Sequence, residues 1–290
     1  MGNKMQNMTP QKPISKPPII TMVGMAGTGK TTLAAMFPSP VFIQAEESGA
    51  VFDSWEEDAK PDLFPLLPAA KCNAAKKGVL EVSTRAAFKD QLRYLITTQH
   101  NYKTVVIDSA SALHRMLENE LCVRDNVDNV ADSCGGFHKG YITLADWHLE
   151  IMKILNMLRN RGMTIIILCH TGIQRLKNRP DEDDYTVYSL DINEKSVPVY
   201  VNYSDAILYI AKNEFVKGKQ TDKKGTLTKW GKIVQTGERK IITTGDGKVG
   251  FVHAKNRYNM PAEIQFTQGE NPLLQYIKFF NQQPTNISEQ

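Results

Sequence analysis

The chain has little cysteine, no long apolar run and no strong excess of either charge. Its four cysteines show no C-x-x-C spacing, which argues against a structural zinc site and fits reduced thiols. No stretch approaches the roughly 18 consecutive apolar residues of a membrane span. The polar start of the chain lacks the apolar segment of a secretion signal. We therefore expect a cytoplasmic protein without a membrane partner.

The remaining composition is that of a globular protein: 290 residues, 41% hydrophobic and 23% charged, with a formal net charge of +4. Residues 1–17 are polar and rich in proline, and we expect a flexible arm there. Apolar strand patterns then alternate with helical ones, which predicts an α/β fold with a central, mostly parallel sheet flanked by helices. The main strands are predicted at 19–23, 41–45, 104–108 and 164–169, and the helices at 84–98, 109–125 and 140–160.

Towards the C-terminus the pattern predicts smaller, partly antiparallel strands followed by a last helix. The strands are predicted at 199–201, 206–211, 227–235, 239–243 and 249–254, and the helix at 272–280.

Residues 24–31 match the phosphate-binding pattern G-x-x-x-x-G-K-[ST] between a predicted strand and a predicted helix. Glycines let the loop turn its amides towards a phosphate, and Lys30 brings a cation to the β- and γ-phosphates. The pattern therefore predicts binding of a nucleoside triphosphate, taken as ATP. The predicted nucleotide contacts are Gly24, Met25, Ala26, Gly27, Thr28, Gly29, Lys30, Thr31 and Thr32.

A magnesium site is predicted from Thr31 and Asp108. Asp108 ends the strand at 104–108, where P-loop proteins place a carboxylate that holds Mg²⁺, and the Thr31 hydroxyl is a second ligand. An Asp at this place is also common as a cap of the following helix.

Three side chains at other strand ends are candidates for the hydrolytic step. Glu46 and Glu47 follow the strand at 41–45, and ligands of open α/β sheets lie at the carboxyl ends of the strands. One glutamate would position or activate the attacking water; the alternative is a solvated acidic turn. His170 follows the strand at 164–169 and is a candidate sensor of the γ-phosphate, or else a structural histidine.

Taken together, these residues resemble a RecA-type recombination ATPase over residues 18–262, with 263–290 left as a C-terminal helix and polar tail. The resemblance assigns the catalytic glutamate to Glu46, and it implies that Lys255 and Arg257, in a K-x-R element, reach the γ-phosphate of a neighbouring subunit. A Lys-Gly-Tyr at 139–141 and the Lys-Asn-Arg-aromatic at 255–258 are shared with phage ATPases assigned to single-strand annealing. RecA itself has Gln where this chain has His170.

Two polar segments are candidates for DNA binding. Arg175, Lys177 and Arg179 form a basic cluster after the strand at 164–169, in a loop that faces DNA in RecA-like proteins. Near residue 137, glycines accompany Phe137, His138 and Lys139, and the aromatic ring is suited to stacking on a base. Both segments are alternatively solvated loops, and the acidic run at 181–184 would repel phosphates.

The sequence therefore predicts an oligomeric, Mg²⁺-dependent and DNA-stimulated ATPase that binds single-stranded DNA and promotes annealing or strand pairing. It leaves open whether the assembly is a ring or a filament, and whether a single-strand-binding protein is a further partner. The alternatives are a P-loop nucleotide kinase and an ATP-switched scaffold without DNA chemistry.

Overall fold

The computed structural model describes residues 12, 14–73, 78–176, 185–217, 220–221, 227–229, 232–245, 251, 253–267 and 269–281. The strands in these residues are β1 Ile19–Gly24, β2 Pro40–Gln44, β3 Asp62–Leu63, β4 Lys71–Cys72, β5 Leu80–Val82, β6 Thr104–Asp108, β7 Thr164–Leu176, β8 Tyr185–Leu190, β9 Ala206–Lys217, β10 Gln220–Thr221, β11 Leu227–Lys229, β12 Lys232–Ile242, β13 Lys255–Asn256 and β14 Glu263–Phe266. The helices are α1 Lys30–Ala35, α2 Thr84–Thr97, α3 Ala110–Asp125, α4 Lys139–Asn160, α5 Val197–Tyr203 and α6 Lys278–Asn281.

Within this part of the chain, ten strands form one sheet with the order β14-β12-β9-β1-β7-β6-β2-β3, and β13 and β8 pair with β9 and β7. The ladder from β9 through β1, β7, β6 and β2 to β3 is parallel. Strands β12, β14, β13 and β8 are antiparallel to their neighbours. This confirms the predicted α/β class and its mostly parallel sheet.

The central strands are short, β-branched and buried on both faces, as strands covered by helices are. One face packs against α2 to α5, with Phe88, Leu117 and Tyr200 in its cluster. The other packs against α1 and the C-terminal segment, with Leu33 and Leu273 in a second cluster. Since each parallel strand ends at the same edge, the sheet has a carboxyl end, where the phosphate-binding loop follows β1, and an amino end.

The strand predicted at 164–169 is longer than expected. β7 continues to Leu176 and pairs with the antiparallel β8 from Thr171 onward. The return strand is rich in Tyr, Thr and Val, the aromatic and β-branched residues that favour strands, and this composition was the available indication of a hairpin. The loop predicted at 172–180 is therefore wrong for residues 172–176, which lie in β7, and 177–180 lie outside the described residues.

The strand predicted at 199–201 is wrong, because these residues lie in α5. Val197 and Tyr200, spaced three apart, are both buried, so helical packing overrides the local β-propensity of the valines. The predicted helix at 272–280 is also shorter than expected: Pro272–Tyr276 forms turns and only Lys278–Asn281 is helical.

Structure continues past residue 262, the predicted end of the core. β14 adds an edge strand to the sheet, and Leu273 and Ile277 are fully buried in the cluster with α1. The strand predicted at 249–254 has no counterpart in its described residues beyond a single bridge from Phe251 to Tyr188. Lys255 and Asn256, placed after that strand by the prediction, themselves form β13.

Candidate active site

The loop at 24–31 joins β1 to α1 as predicted, and its glycines are required by close contacts. A β-carbon on Gly24 would lie 2.5 Å from the carbonyl oxygen of Ile210 in β9, which only a glycine avoids. Gly29 caps α1 with a φ of 92°, in the left-handed region that glycine adopts without strain. The Thr28 hydroxyl donates to the Met25 carbonyl and tightens the loop.

Lys30 points into this loop and is buried. Its ammonium donates to the carbonyls of Gly24 at 2.8 Å and Met25 at 2.9 Å. Burial lowers the pKa of Lys30, and the nearby carboxylates of Asp108 and Glu46 oppose this shift. A bound phosphate would offer the ammonium a full negative charge in place of two neutral carbonyls, which favours its charged form.

Thr31 and Asp108 are brought together as predicted. The Thr31 hydroxyl donates to a carboxylate oxygen of Asp108 at 3.1 Å, and Asp108 is buried at the end of β6. Burial is the main cause that raises the pKa of Asp108, and the Thr31 hydrogen bond opposes it. A hydroxyl beside one carboxylate suits Mg²⁺, which takes few protein ligands and completes its shell with water and phosphate. These residues fit a metal that, when bound, would neutralise charge on the phosphates.

Glu46 and His170 form the third pair at this end of the sheet. His170 Nε2 lies 3.1 Å from Glu46 Oε1, and this hydrogen bond is the main cause that lowers the pKa of Glu46 to about 2. The Ser111 hydroxyl accepts from the backbone amide of His170 and fixes its position. A carboxylate of such low pKa takes up a proton poorly. Action as a base therefore requires Glu46 to leave His170.

Lys30, Thr31, Asp108, Glu46 and His170 all line one cavity, which has a volume of about 340 Å³. Of the other residues predicted to contact the nucleotide, Ala26, Gly27, Gly29 and Thr32 line the cavity, and Gly24, Met25 and Thr28 do not. Glu47 also lines the cavity. Arg239 lines it as well and was missed, because it comes from β12, far along the sequence, and belongs to no motif. Its place two residues before the buried Ile241, and so on the same face, was the available indication of which face of the strand it occupies.

Lys255 and Arg257 lie at the opposite end of the sheet from this cavity. Lys255 pairs with Ile207 at the start of β9, and its ammonium donates to the Val201 carbonyl at 2.7 Å. Arg257 donates to the carboxylate of Asp205 at 3.2 Å, and its side chain is 58% exposed. Because β1 spans roughly 17 Å from one end to the other, these cations do not reach the phosphate loop of their own chain.

The predicted aromatic contact with DNA is strongly exposed. Phe137 has 90% of its surface accessible, and every residue from Cys134 to His138 has a positive φ. His138 begins α4 and stacks on Tyr141 with ring centroids 6.0 Å apart. The Lys139 ammonium lies 6.0 Å from the Phe137 ring centroid. The chain thus presents a ring and a cation on one strained turn.

The second predicted DNA segment is only partly described. Arg175 lies in β7, opposite Thr186 of β8, on the exposed part of the hairpin. Lys177 and Arg179 lie outside the described residues. Ile173, two residues before Arg175 and on the same face, is 76% exposed.

A strand, a glycine-rich loop and a helix, with a buried lysine and a hydroxyl–carboxylate pair at one edge of a parallel sheet, are the features of the class of P-loop ATPases. The chain belongs to the family described as an AAA domain, whose model matches residues 16–258. No curated protein matches it. In the described residues no helix is both long and apolar enough for a membrane crossing.

Solved structures that resemble the chain are distant in sequence. The flagellar accessory protein FlaH from Methanocaldococcus jannaschii is 12% identical, with 88% of this chain and 86% of that chain covered and a TM-score of 0.40. A KaiC-like protein from the archaeon Pyrococcus horikoshii OT3 is 16% identical, with 78% of each chain covered and a TM-score of 0.38.

Proposed function

We propose that this protein is an oligomeric, Mg²⁺-dependent ATPase with a RecA-like role, which binds single-stranded DNA and promotes annealing or strand pairing. The observation that carries the proposal is strand β7. It runs from the nucleotide cavity, where His170 contacts Glu46, directly into an exposed hairpin that bears Ile173 and Arg175. One continuous strand therefore connects the hydrolytic groups to a surface suited to a polyanion.

Nucleotide binding supplies a reason for this connection. A γ-phosphate in the cavity would compete with Glu46 for the hydrogen bond of His170, since both are anionic acceptors. If His170 turns to the phosphate, Glu46 loses the contact that lowers its pKa and becomes a better base. The same movement acts on the strand that leads to the hairpin.

Single-strand binding rests on the exposed Phe137 turn and on the hairpin. An exposed ring is free to stack on a base, and single-stranded nucleic acid offers base faces at every position. Lys139 beside the ring would contact the backbone phosphates. The acidic run at 181–184, outside the described residues, is the feature that argues against this surface.

Assembly is supported by the position of the K-x-R element. Lys255 and Arg257 lie far from the nucleotide cavity of their own chain. Arg257 instead lines a second cavity, of about 510 Å³, whose other residues include Tyr258, Tyr276 and Lys278. An active site of a second copy, docked against the amino end of the sheet, would bring its γ-phosphate to these cations. Such a cation in trans stabilises charge in the transition state.

The first experiment measures ATP turnover with and without random-sequence single-stranded DNA, together with the mass of the assembly in each state. We expect phosphate release that DNA stimulates and a mass above that of one chain. Transfer of the phosphate to added nucleosides would identify a nucleotide kinase instead. ATP-dependent assembly without turnover would identify a scaffold. Either result contradicts the proposal.

The second experiment locates the DNA surface by the salt dependence of binding. Each phosphate contact contributes about 0.7 to the log–log slope on single strands, so Arg175→Ala and Lys177→Ala should each flatten the slope. Phe137→Ala should weaken binding by about 1–3 kcal/mol with the slope unchanged, because stacking releases no counterions. Lys103→Ala, at the amino end of the sheet, is the control. Binding that is insensitive to salt excludes this surface.

A further inference from the structure

The phosphate-binding loop has two unlike sides. The groups described above come from β2, β6 and β7, on one side of β1, and they are mainly acidic: Glu46 and Asp108, with His170. On the other side of β1 lie β9 and β12. The residues that these strands bring to the loop are Lys212 and Arg239, both cationic and neither part of the loop motif.

Both side chains lie directly over the glycines of the loop. A β-carbon built on Gly29 would be 2.9 Å from Nε of Arg239, and one built on Gly27 would be 3.9 Å from Nζ of Lys212. The amides of these loop residues are the groups that surround phosphates in a loop of this kind. The two cations therefore stand over the place where the phosphate chain must lie.

Their position on the sheet is defined by the strand register. Lys212 and Arg239 are directly opposite each other in the antiparallel β9–β12 pair, two residues beyond the opposed pair Ile210 and Ile241. Opposed residues point to the same face, and so do residues two apart. Ile210 and Ile241 are buried against Leu33 of α1. The face that packs on α1 is thus apolar along the helix and becomes cationic where it reaches the phosphate loop.

Two like charges directly opposite each other in a sheet are destabilising. Arg239 also lines the nucleotide cavity together with the cationic Lys30, and the acidic groups of that cavity come from strands on the far side of β1. An anion between the two strands and the loop would relieve this repulsion, and a polyphosphate chain carries the required charge.

We propose that Lys212 and Arg239 bind the phosphate chain of the nucleotide, from the side opposite Asp108 and within the same subunit. Arg239 is a nucleotide-positioning residue: its planar guanidinium suits two phosphate oxygens, and Lys212 adds a point charge. The inference rests on the nucleotide-binding part of the proposed function and is independent of its DNA part. It also divides the cations by role, with binding supplied in cis and the transition-state contact in trans.

The test measures the affinity of the full chain for MgATP, without DNA and at dilutions where the mass is that of one chain. Arg239→Ala and Lys212→Ala should each weaken binding about 10- to 100-fold, the range of a charge-assisted hydrogen bond. Lys240→Ala is the matched control, because Lys240 adjoins Arg239 on the opposite face and pairs with Glu263 at 3.2 Å. It should leave the affinity unchanged. Arg239→Lys should recover part of the loss.

Competition by inorganic tripolyphosphate separates phosphate contact from contact with the base. If the cations bind phosphate, both alanine variants weaken tripolyphosphate by a similar factor. Loss of ATP affinity with tripolyphosphate unchanged would assign Arg239 to the base and overturn the proposal, as would wild-type affinity in both variants. Lys30→Ala distinguishes a failure of this inference from a failure of the proposed nucleotide site. If the Lys30→Ala variant binds MgATP normally, the nucleotide site itself is wrong, whatever Arg239 does.

Discussion

Both ends of the central sheet carry carboxylates, which are fully hydrogen-bonded at the amino end and face a cavity at the carboxyl end. At the amino end the carboxylate of Asp205 is buried and fully engaged: it accepts from Arg159 at 2.7 Å, from Arg257 at 3.2 Å and from the Ile19 amide at 3.1 Å. At the carboxyl end the carboxylates of Glu46 and Asp108 face a cavity of about 340 Å³.

This difference indicates that the carboxylate at the amino end stabilises the fold, while those at the carboxyl end are available to a ligand. At the amino end each charge is satisfied by another element of the fold, so its removal should cost stability. At the carboxyl end the charges face a space large enough for a ligand, and their pKa values are moved in opposite directions, down for Glu46 and up for Asp108. Removal there should cost activity. Arg257 belongs to the amino end by position and is assigned a chemical role by the proposal, so it is the sharpest test of the comparison.

The largest expected effect is that of Arg257→Ala. A cation supplied to a neighbouring γ-phosphate is worth about 10³–10⁵ in rate, while an ion pair with a side chain 58% exposed contributes little to stability. The variant should bind ATP and keep its melting temperature, yet hydrolyse ATP poorly and lose ATP-driven assembly. A rate that falls only in parallel with the melting temperature would make Arg257 a structural residue, like its neighbour Arg159.

Mixing variants tests whether Arg257 acts across an interface. In a mixture of Arg257→Ala and Glu46→Gln chains, some interfaces combine an intact Glu46 with an intact Arg257 from the other chain. Partial activity should return. If no mixing ratio restores turnover, Arg257 does not act in trans.

The next effect is that of Glu46→Gln, which should retain nucleotide binding and lose about 10²–10⁴-fold in turnover, the usual contribution of a general base. Glu47→Gln is the control, because Glu47 adjoins it and lines the same cavity. Phosphate release under single-turnover conditions measures both. A loss confined to the Glu47 variant would shift the assignment by one residue.

At the amino end, Asp205→Ala should lower the free energy of unfolding by about 3–5 kcal/mol, because it leaves Arg159 and the Ile19 amide without their acceptor. Asp191→Ala is the matched control: Asp191 pairs with Arg115 at 2.8 Å, but both side chains are exposed. It should cost at most about 1 kcal/mol. Equal losses in urea denaturation would remove the distinction between the two ends.

The smallest effect concerns the Glu46–His170 contact and its dependence on pH. Since this contact lowers the pKa of Glu46 to about 2 from an ordinary 4.5, the stability it contributes is present above about pH 4.5 and is lost as pH falls towards 2. A double-mutant cycle of Glu46→Gln and His170→Ala should give a coupling energy below about 1 kcal/mol at pH 5. That coupling should shrink at pH 3. A coupling that grows on acidification contradicts the assignment.

The sequence was sufficient for the parts of the fold that depend on local pattern. The four central strands and helices α2, α3 and α4 lie where apolar periodicity places them, and the phosphate loop is found from residue types alone. The position of Thr31, Asp108, Glu46 and His170 at one edge also followed, because carboxyl ends of parallel strands share one edge. The hydrogen bond between Glu46 and His170 was not predicted.

Other features depend on contacts between distant parts of the chain. The helix α5 forms because Tyr200 packs beside the buried His148 and bonds to it at 2.8 Å, which no window of sequence contains. Arg239 reaches the loop through the register of β9 and β12. An irregularity between Gln235 and Arg239, where four steps along β12 correspond to two along β9, decides which residue of β9 it opposes. Asp205 belongs to no sequence motif, and its three hydrogen-bond partners, Arg159, Arg257 and the Ile19 amide, come from other parts of the chain.

The length of β7 has a mechanical consequence. β1 pairs with it as far as His170 and β6 as far as Ile167, and from Thr171 its ladder partner in the described residues is β8. The outer part, Thr171 to Leu176, thus extends beyond the parallel ladder by about 20 Å, at about 3.3 Å per residue. A tilt of about 10° at Thr171 would move the outer end of the strand by about 3–4 Å. This is roughly the distance between adjacent stacked bases. For a hairpin that binds DNA as proposed, this displacement corresponds to one base along a strand.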